Sequence, residues 1–330
     1  MVILQTLLTS LMIMATLAIV AWMAGALYYD VGQMYPLGWL LVLVWLATVS
    51  YLLIYWQPSW QPCMAIGGAF GIFLFWWFRQ KPSLERNWAP NHAMLSQIDM
   101  QGDVIQIDHV RNTVYRSLDD YTPCYEERTL HKSRLRDADV LISFWGSPWM
   151  CHPILIFDFG EDGRICFSIE VRYRVEQQYN LLSSLYRQQE LIYIICDERD
   201  AILKRTRYDQ GQDCYLYQFQ ANRDELWQFF KEYADGINSL SVKPRWYNGL
   251  TANCTTTIYN QRQHAMAWNW RLMFNGKLDL SLYLHRRLDQ HLPFADLKRQ
   301  SRVNDIANRT PDGDFGDTLR RELPGYRIEN

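Results

Sequence analysis

The chain has 330 residues, and its 33 Lys and Arg against 35 Asp and Glu leave a net charge of −2. So even a balance, with no dominant basic patch, argues against a nucleic-acid partner. Fourteen Trp and 20 Tyr suit a chain that works at a membrane interface, and the length allows a membrane region plus one globular domain.

Three apolar runs come first, from Leu7 to Tyr28, Leu37 to Trp56 and Met64 to Phe78. About 20 apolar residues match the hydrocarbon thickness of a bilayer, and the third run is short but feasible. The first run lacks a basic n-region and two more follow it, so the pattern predicts three retained helices over residues 1–80 and not a cleaved signal peptide. Gly67, Gly68 and Gly71 in the third run predict close helix packing, because no strand precedes them to make a phosphate loop. Arg79, Lys81 and Arg86 follow directly, and local charge alone would place that end in the cytoplasm.

Residues 81–100 are expected to be a linker, with turn residues between Pro82 and Pro90 and an interfacial Trp88. Residues 101–330 then form a globular domain of α+β type. Asp103 to Val110 alternates as a strand, and Val140 to Trp145 is a short apolar strand. Pro153 to Phe159 and Arg164 to Tyr173 flank Gly160-Glu161-Asp162-Gly163, which predicts a hairpin with His152 at its start. A helix is expected near Glu176 to Arg187 and a buried strand over Leu191 to Cys196. A second alternating pair should run through Leu203 and Tyr215 to Phe219. Asp224 to Leu240 carries apolar residues at helical spacing and should be an amphipathic helix.

Tyr247-Asn248-Gly249-Leu250-Thr251-Ala252-Asn253-Cys254-Thr255-Thr256 is the stretch where chemistry concentrates. Asn253 is a good N-cap, which puts Cys254 in the first turn of a helix, where unpaired backbone N–H groups and the dipole favour an anion. A thiol placed there loses its proton more easily, the thiolate is the nucleophile, and the same N–H groups could hold an oxyanion. The alternative is a small buried apolar residue, the common fate of a free cysteine.

A cysteine nucleophile needs a base and a group to orient it. Of the seven histidines, His264 is ten residues along the same helix, about 15 Å of rise, and too far. His285 and His291 sit in an Arg-rich polar stretch and His92 in the linker; His109 and His131 remain possible. His152 on a rigid hairpin strand is the preferred base. Glu170 on the partner strand is the candidate orienting group, provided an odd-length loop or a bulge puts it on the same face; Ser168 and Arg172 share its parity. No metal ligand set or cofactor is expected: there is no C-x-x-C, no H-E-x-x-H and no calcium loop. A serine nucleophile elbow is also absent.

These pieces together resemble the domain of the thiol-dependent lipoprotein N-acyltransferase Lnb and its relatives. The matching residues are Arg111-Asn112 with Tyr115-Arg116-Ser117, His152 with Phe157 and Phe159, Ser168-Ile169-Glu170-Val171-Arg172, Tyr193 to Arg199-Asp200, Tyr247-Asn248 and Asn253-Cys254-Thr255-Thr256. Asp314-Phe315 through Leu319-Arg320 to Leu323-Pro324 resembles the family's C-terminal phrase. The order of His before Asn-Cys is also similar to the circularly permuted papain-like fold of lecithin:retinol acyltransferases. The resemblance implies Cys254 as nucleophile and His152 as base; Glu170 stays the candidate third member from the hairpin, and Asn253, Thr255, Arg172 and Tyr247 are the candidate oxyanion and supporting residues. It implies transfer of an acyl chain from phospholipid, through a Cys254 thioester, to an amine such as a lipoprotein N-terminus, by a domain on the periplasmic side of a bacterial inner membrane. A thiol hydrolase acting on phospholipid or peptidoglycan, and a non-catalytic membrane scaffold, stay open beside it.

Overall fold

A computed structural model describes residues 2–32, 38–56, 60–175, 177–209, 211–261, 275–311, 313 and 315–327. The chain divides into two compact units.

The first unit holds residues 1–83, 179–190 and 246–249. Its frame is three long helices, α1 (Val2–Ala26, continued by a π-helical turn Leu27–Val31), α2 (Gly38–Tyr55) and α3 (Trp60–Arg79). All three are long and apolar enough to cross a membrane. Most of their large apolar side chains point outward with nothing over them, among them Leu7, Leu11, Val44, Ile54, Ile72 and Phe75. A helix apolar on every side is stable only against protein or lipid, so this surface belongs in a bilayer. Where the helices meet, Trp22 of α1 packs edge-on against Phe70, Phe73 and Trp77 of α3. Gly67, Gly68 and Gly71, expected to mark close helix packing, have open space around them instead.

At the end of α1, Asp30 is buried and saturated with donors. Trp77 Nε1 and Gln188 Nε2 each donate to it at 2.6 Å, and the backbone N–H of Arg187 donates at 3.0 Å. The Arg187 guanidinium stacks on Trp77 and reaches the carbonyl of Gln80 at 2.7 Å. A Cβ on Gly25 would lie 1.9 Å from the Tyr186 hydroxyl, so any larger residue there must displace the Tyr186 ring. The segment 179–190 is thus tied to the helices by its own side chains. The helix expected from Glu176 to Arg187 is absent: residues 177–182 are irregular or turn and a short 3-10 turn covers Ser183–Leu185. Its polar and aromatic side chains are spent on α1 and α3 and not on a helical face of their own.

The second unit is built on an eight-stranded sheet in the order β1-β2-β9-β8-β7-β6-β10, with β5 also paired to β2. The strands are β1 (Gln97–Gln101), β2 (Val104–Arg111), β5 (Tyr125–His131), β6 (Asp137–Trp145), β7 (Cys151–Asp158), β8 (Arg164–Arg172), β9 (Glu190–Cys196) and β10 (Gln212–Gln218); β3 (Val114–Tyr115) and β4 (Tyr121–Thr122) form a separate ribbon. Strand β1 lies inside the stretch expected to be linker. Leu203 does not lie on a strand but ends a short helix, α4 (Glu198–Leu203), capped by the Asp197 side chain. The resulting domain is α+β, as expected.

Period-two alternation splits the sheet into two packed faces. On one, Phe157 and Phe167 meet Phe230 of α5 (Arg223–Val242) edge to face, at 5.4 and 5.5 Å. Helix α5 is the predicted amphipathic helix and buries Leu226, Phe229, Phe230, Tyr233, Ile237 and Leu240; Asn222 and Glu225 close its N-terminus as a capping box. On the other face Ile154, Ile156, Cys166 and Ile194 pack with Ala201 and Ile202 of α4 and with Ile306 and Leu319 of two later helices, α9 (Asn304–Arg309) and α10 (Phe315–Glu322). Between α5 and α9 the described chain also holds α6 (Cys254–Gln261), α7 (Leu278–Leu284) and α8 (Phe294–Gln300).

Candidate active site

Strands β7 and β8 pair with Ile154 opposite Ser168, Ile156 opposite Cys166 and Asp158 opposite Arg164. Five residues, 159–163, lie between the strands, an odd number, with Gly163 at φ 88°, a backbone shape that favours glycine. Extending the register by two more positions, past Pro153 and Ile169, sets Glu170 across from His152. The two side chains therefore share a face, with His152 Nε2 3.6 Å from Glu170 Oε1.

Ser168 bridges them more closely. Its Oγ lies 2.7 Å from His152 Nε2 and donates to Glu170 Oε1, also at 2.7 Å. A hydroxyl has one proton, so a Ser168 that donates to Glu170 must accept from His152. That fixes the imidazole proton on Nε2 and leaves Nδ1 as the basic nitrogen. Arg205 completes the row: Nη2 donates to the same Glu170 oxygen at 2.6 Å, while Nη1 holds the Ala201 carbonyl of α4 at 2.9 Å.

Helix α6 packs on β7 and β8 and starts at Cys254. The Asn253 side chain accepts from the backbone N–H of Thr256 at 2.8 Å, the predicted N-cap bond. Cys254 is buried in the first turn, its Sγ 3.8 Å from Thr255 Oγ1, and its side chain is hydrogen-bonded to His152. More than a hundred residues of chain separate a thiol and an imidazole that meet here.

Their environment sets their charge. Burial alone would raise the Cys254 thiol, but the hydrogen bond and charge of His152, with a smaller contribution from Thr255, bring it below its ordinary value. Burial would lower His152, and the partners Cys254 and Glu170 overcome that and raise it. Glu170 is held well below the usual carboxylate range: against the burial cost stand Lys204, Arg205 and His152. The arrangement favours a thiolate–imidazolium pair backed by a permanently charged carboxylate. Cys151, one residue from His152, shows the contrast, since burial keeps its thiol well above its ordinary value. None of the seven cysteines is joined in a disulfide.

The other sequence candidates fall elsewhere. Arg172 turns from this row: its Nε and Nη2 donate to the carbonyls of His92 and Ala93, and its guanidinium stacks on Trp88. Tyr247 belongs to the first unit, with its backbone N–H on the Gln189 carbonyl. His109 contacts the Leu95 carbonyl through Nδ1, and His131 pairs with Asp162. His264 and Asp314 lie outside the described residues. Sequence reasoning missed Arg205 and Lys204, which sit on a π-helical turn (Lys204–Tyr208) that no motif announces. Ser168 was visible through its parity with Glu170. Two of the motif pieces meet each other: Arg111 makes a buried two-pronged pair with Asp200, at 2.7 and 3.1 Å, and Arg199 donates to Asn112 Oδ1 at 2.6 Å. Arg320 of the C-terminal phrase is buried between Asp139 and Glu198, at 2.5 and 2.6 Å.

The fold and the site define a membrane-associated α+β protein with a thiol–imidazole centre on its sheet. Residues 121–281 match the family described as Lnb N-terminal periplasmic domain. Searches against curated proteins and against solved structures returned no match.

Proposed function

We propose that the chain is a membrane-anchored cysteine acyltransferase that moves an acyl chain from phospholipid to an amine, a lipoprotein N-terminus being the expected acceptor. The observation that carries this reading is the unbroken row Cys254, His152, Ser168, Glu170, Arg205 at the start of a capped helix. A thiolate there attacks the ester carbonyl, forming a C–S bond, while the positive end of α6 favours the oxyanion that develops. As the C–O bond breaks, His152 Nδ1–H protonates the departing glycerol oxygen. The neutral imidazole then takes a proton from the incoming amine as its nitrogen forms the C–N bond and the C–S bond breaks, which restores the starting pair. Ser168 and Glu170 position His152 throughout, and Arg205 keeps Glu170 ionised.

The three helices tie the chain to a bilayer, the source of the donor. Together with the family's description as periplasmic, they support a multi-pass protein of a bacterial inner membrane with the domain outside the cytoplasm. Incubation with acyl-labelled phospholipid tests the reading. A hydroxylamine-labile label on the chain, absent from Cys254→Ala and passed to an added lipopeptide amine, is the expected result. Release of free fatty acid with no amide product would instead make the protein a thiol hydrolase, and absence of any Cys254-dependent label would leave it without this chemistry.

A further inference from the structure

Around Arg111 the second unit holds several buried donors with no acceptor among the described residues. Arg111 spends Nε and Nη2 on Asp200, and its Nη1 is buried without an acceptor. Thr113, whose backbone N–H binds the same carboxylate, has a buried unpartnered hydroxyl, and so does Tyr115. His92 accepts the Tyr173 N–H on Nδ1, so its proton sits on Nε2, which is again buried and unpartnered. Lys204 is half-buried, feels Glu170 electrostatically and makes no ion pair among the described residues, because Arg205 occupies that carboxylate. These groups share one neighbourhood: Arg111 interacts electrostatically with His92, Tyr115 and Lys204, and Glu170 interacts with the same three.

Each buried donor left unpaired is unfavourable, and a folded domain rarely keeps several in one place unless something accepts from them. The charges are also unbalanced. Asp200 pairs with Arg111 and Glu170 with Arg205, and Lys204, which acts on Glu170 without an ion pair, adds a third positive charge to these two carboxylates. Lys204 and Arg111 together also help push His92 down to about 3, after burial, so the ring stays a neutral N–H donor beside them. An anion with many acceptor sites would satisfy these groups together. A carboxylate offers about four lone-pair positions, fewer than the hydrogens these five groups can supply. A phosphate oxyanion offers more, and it suits a guanidinium, an ammonium and hydroxyls at once.

We propose that His92, Arg111, Thr113, Tyr115 and Lys204 form a subsite for a phosphate oxyanion beside Glu170. The phosphate can be free or can be the headgroup of a phospholipid; binding does not depend on acyl transfer occurring.

The test uses the full chain carrying Cys254→Ala, in maltoside micelles free of phosphate. Inorganic phosphate, dioleoyl-phosphatidylglycerol and, as a phosphate-free control, dioleoylglycerol are titrated separately and heats of binding recorded. Saturable binding of inorganic phosphate assigns a free anion, and saturable binding of phosphatidylglycerol alone assigns a headgroup; in either case dioleoylglycerol gives none. Lys204→Met and Tyr115→Phe should each weaken that binding by roughly ten-fold, the loss of one hydrogen bond to a charged group. Tyr115→Phe is nearly isosteric and keeps the test readable if Lys204→Met does not fold. The proposal is overturned if neither phosphate source saturates, if dioleoylglycerol binds as well as phosphatidylglycerol, or if the folded variants bind as tightly as the parent.

Discussion

The Cys254–His152 pair carries opposite shifts, and these dictate its pH behaviour. The thiol is lowered and the imidazole raised, so the charged pair forms at a pH below that at which a free cysteine ionises, about 8.5, and dissolves as pH rises through the raised value of His152. Alkylation of Cys254 should therefore reach half its maximum below the ordinary thiol value, as measured by iodoacetamide labelling against pH. In His152→Ala the burial penalty is opposed only by the smaller contribution of Thr255, and the midpoint should move up relative to the parent. Ser168→Ala leaves both reacting groups in place but removes the acceptor that fixes the Nε2 proton. It should cost about 10- to 100-fold in turnover, less than the roughly 10²–10⁴-fold that general acid–base catalysis supplies and that His152→Ala should lose. A Ser168→Ala rate equal to the parent would remove Ser168 from the relay.

At the scale of elements, two buried arrangements should dominate stability. Phe230 stands between Phe157, Phe159 and Phe167, so Phe230→Ala should cost about 3–5 kcal/mol in urea unfolding. Asp200→Asn strands the buried charge of Arg111 and should cost about 3–5 kcal/mol, whereas a double replacement of both partners by apolar residues should recover much of it. Helix α5 and the β7–β8 hairpin were legible because hydrophobic spacing and a Gly/Asp turn are local signals. The site was legible only in part. The capped start of α6 can be read from Asn253-Cys254, but whether Glu170 faces His152 hinges on a loop of odd length, which sequence alone left undecided. Arg205 and Lys204 reach the site from a π-helical turn after α4, a placement set by tertiary packing on β10 and α9 and not by any nearby residue. The segment 177–190 misled for the opposite reason: its spacing allows a helix, yet Arg187 and Gln188 are drawn to Asp30 and Trp77, more than a hundred residues earlier.

For the whole molecule, the apolar exteriors of α1, α2 and α3 mean the chain should stay in the membrane pellet through alkaline carbonate and leave it only with detergent. Sidedness was not legible, because Arg79, Lys81 and Arg86 vote for the cytoplasm while the family's description is periplasmic. Positive charge counts for less where a large domain follows. A C-terminal alkaline phosphatase fusion should be active if the domain is outside the cytoplasm. The central claim is that an imidazole on a hairpin ionises a thiol at a helix mouth so that it can carry an acyl group. Mass spectrometry of the chain after incubation with a phospholipid of defined acyl mass reads this most directly. The account predicts one acyl mass on the peptide that contains Cys254, removed by hydroxylamine and missing from Cys254→Ala and His152→Ala. An unmodified Cys254 peptide in the parent, under conditions where the lipid is bound, would contradict it.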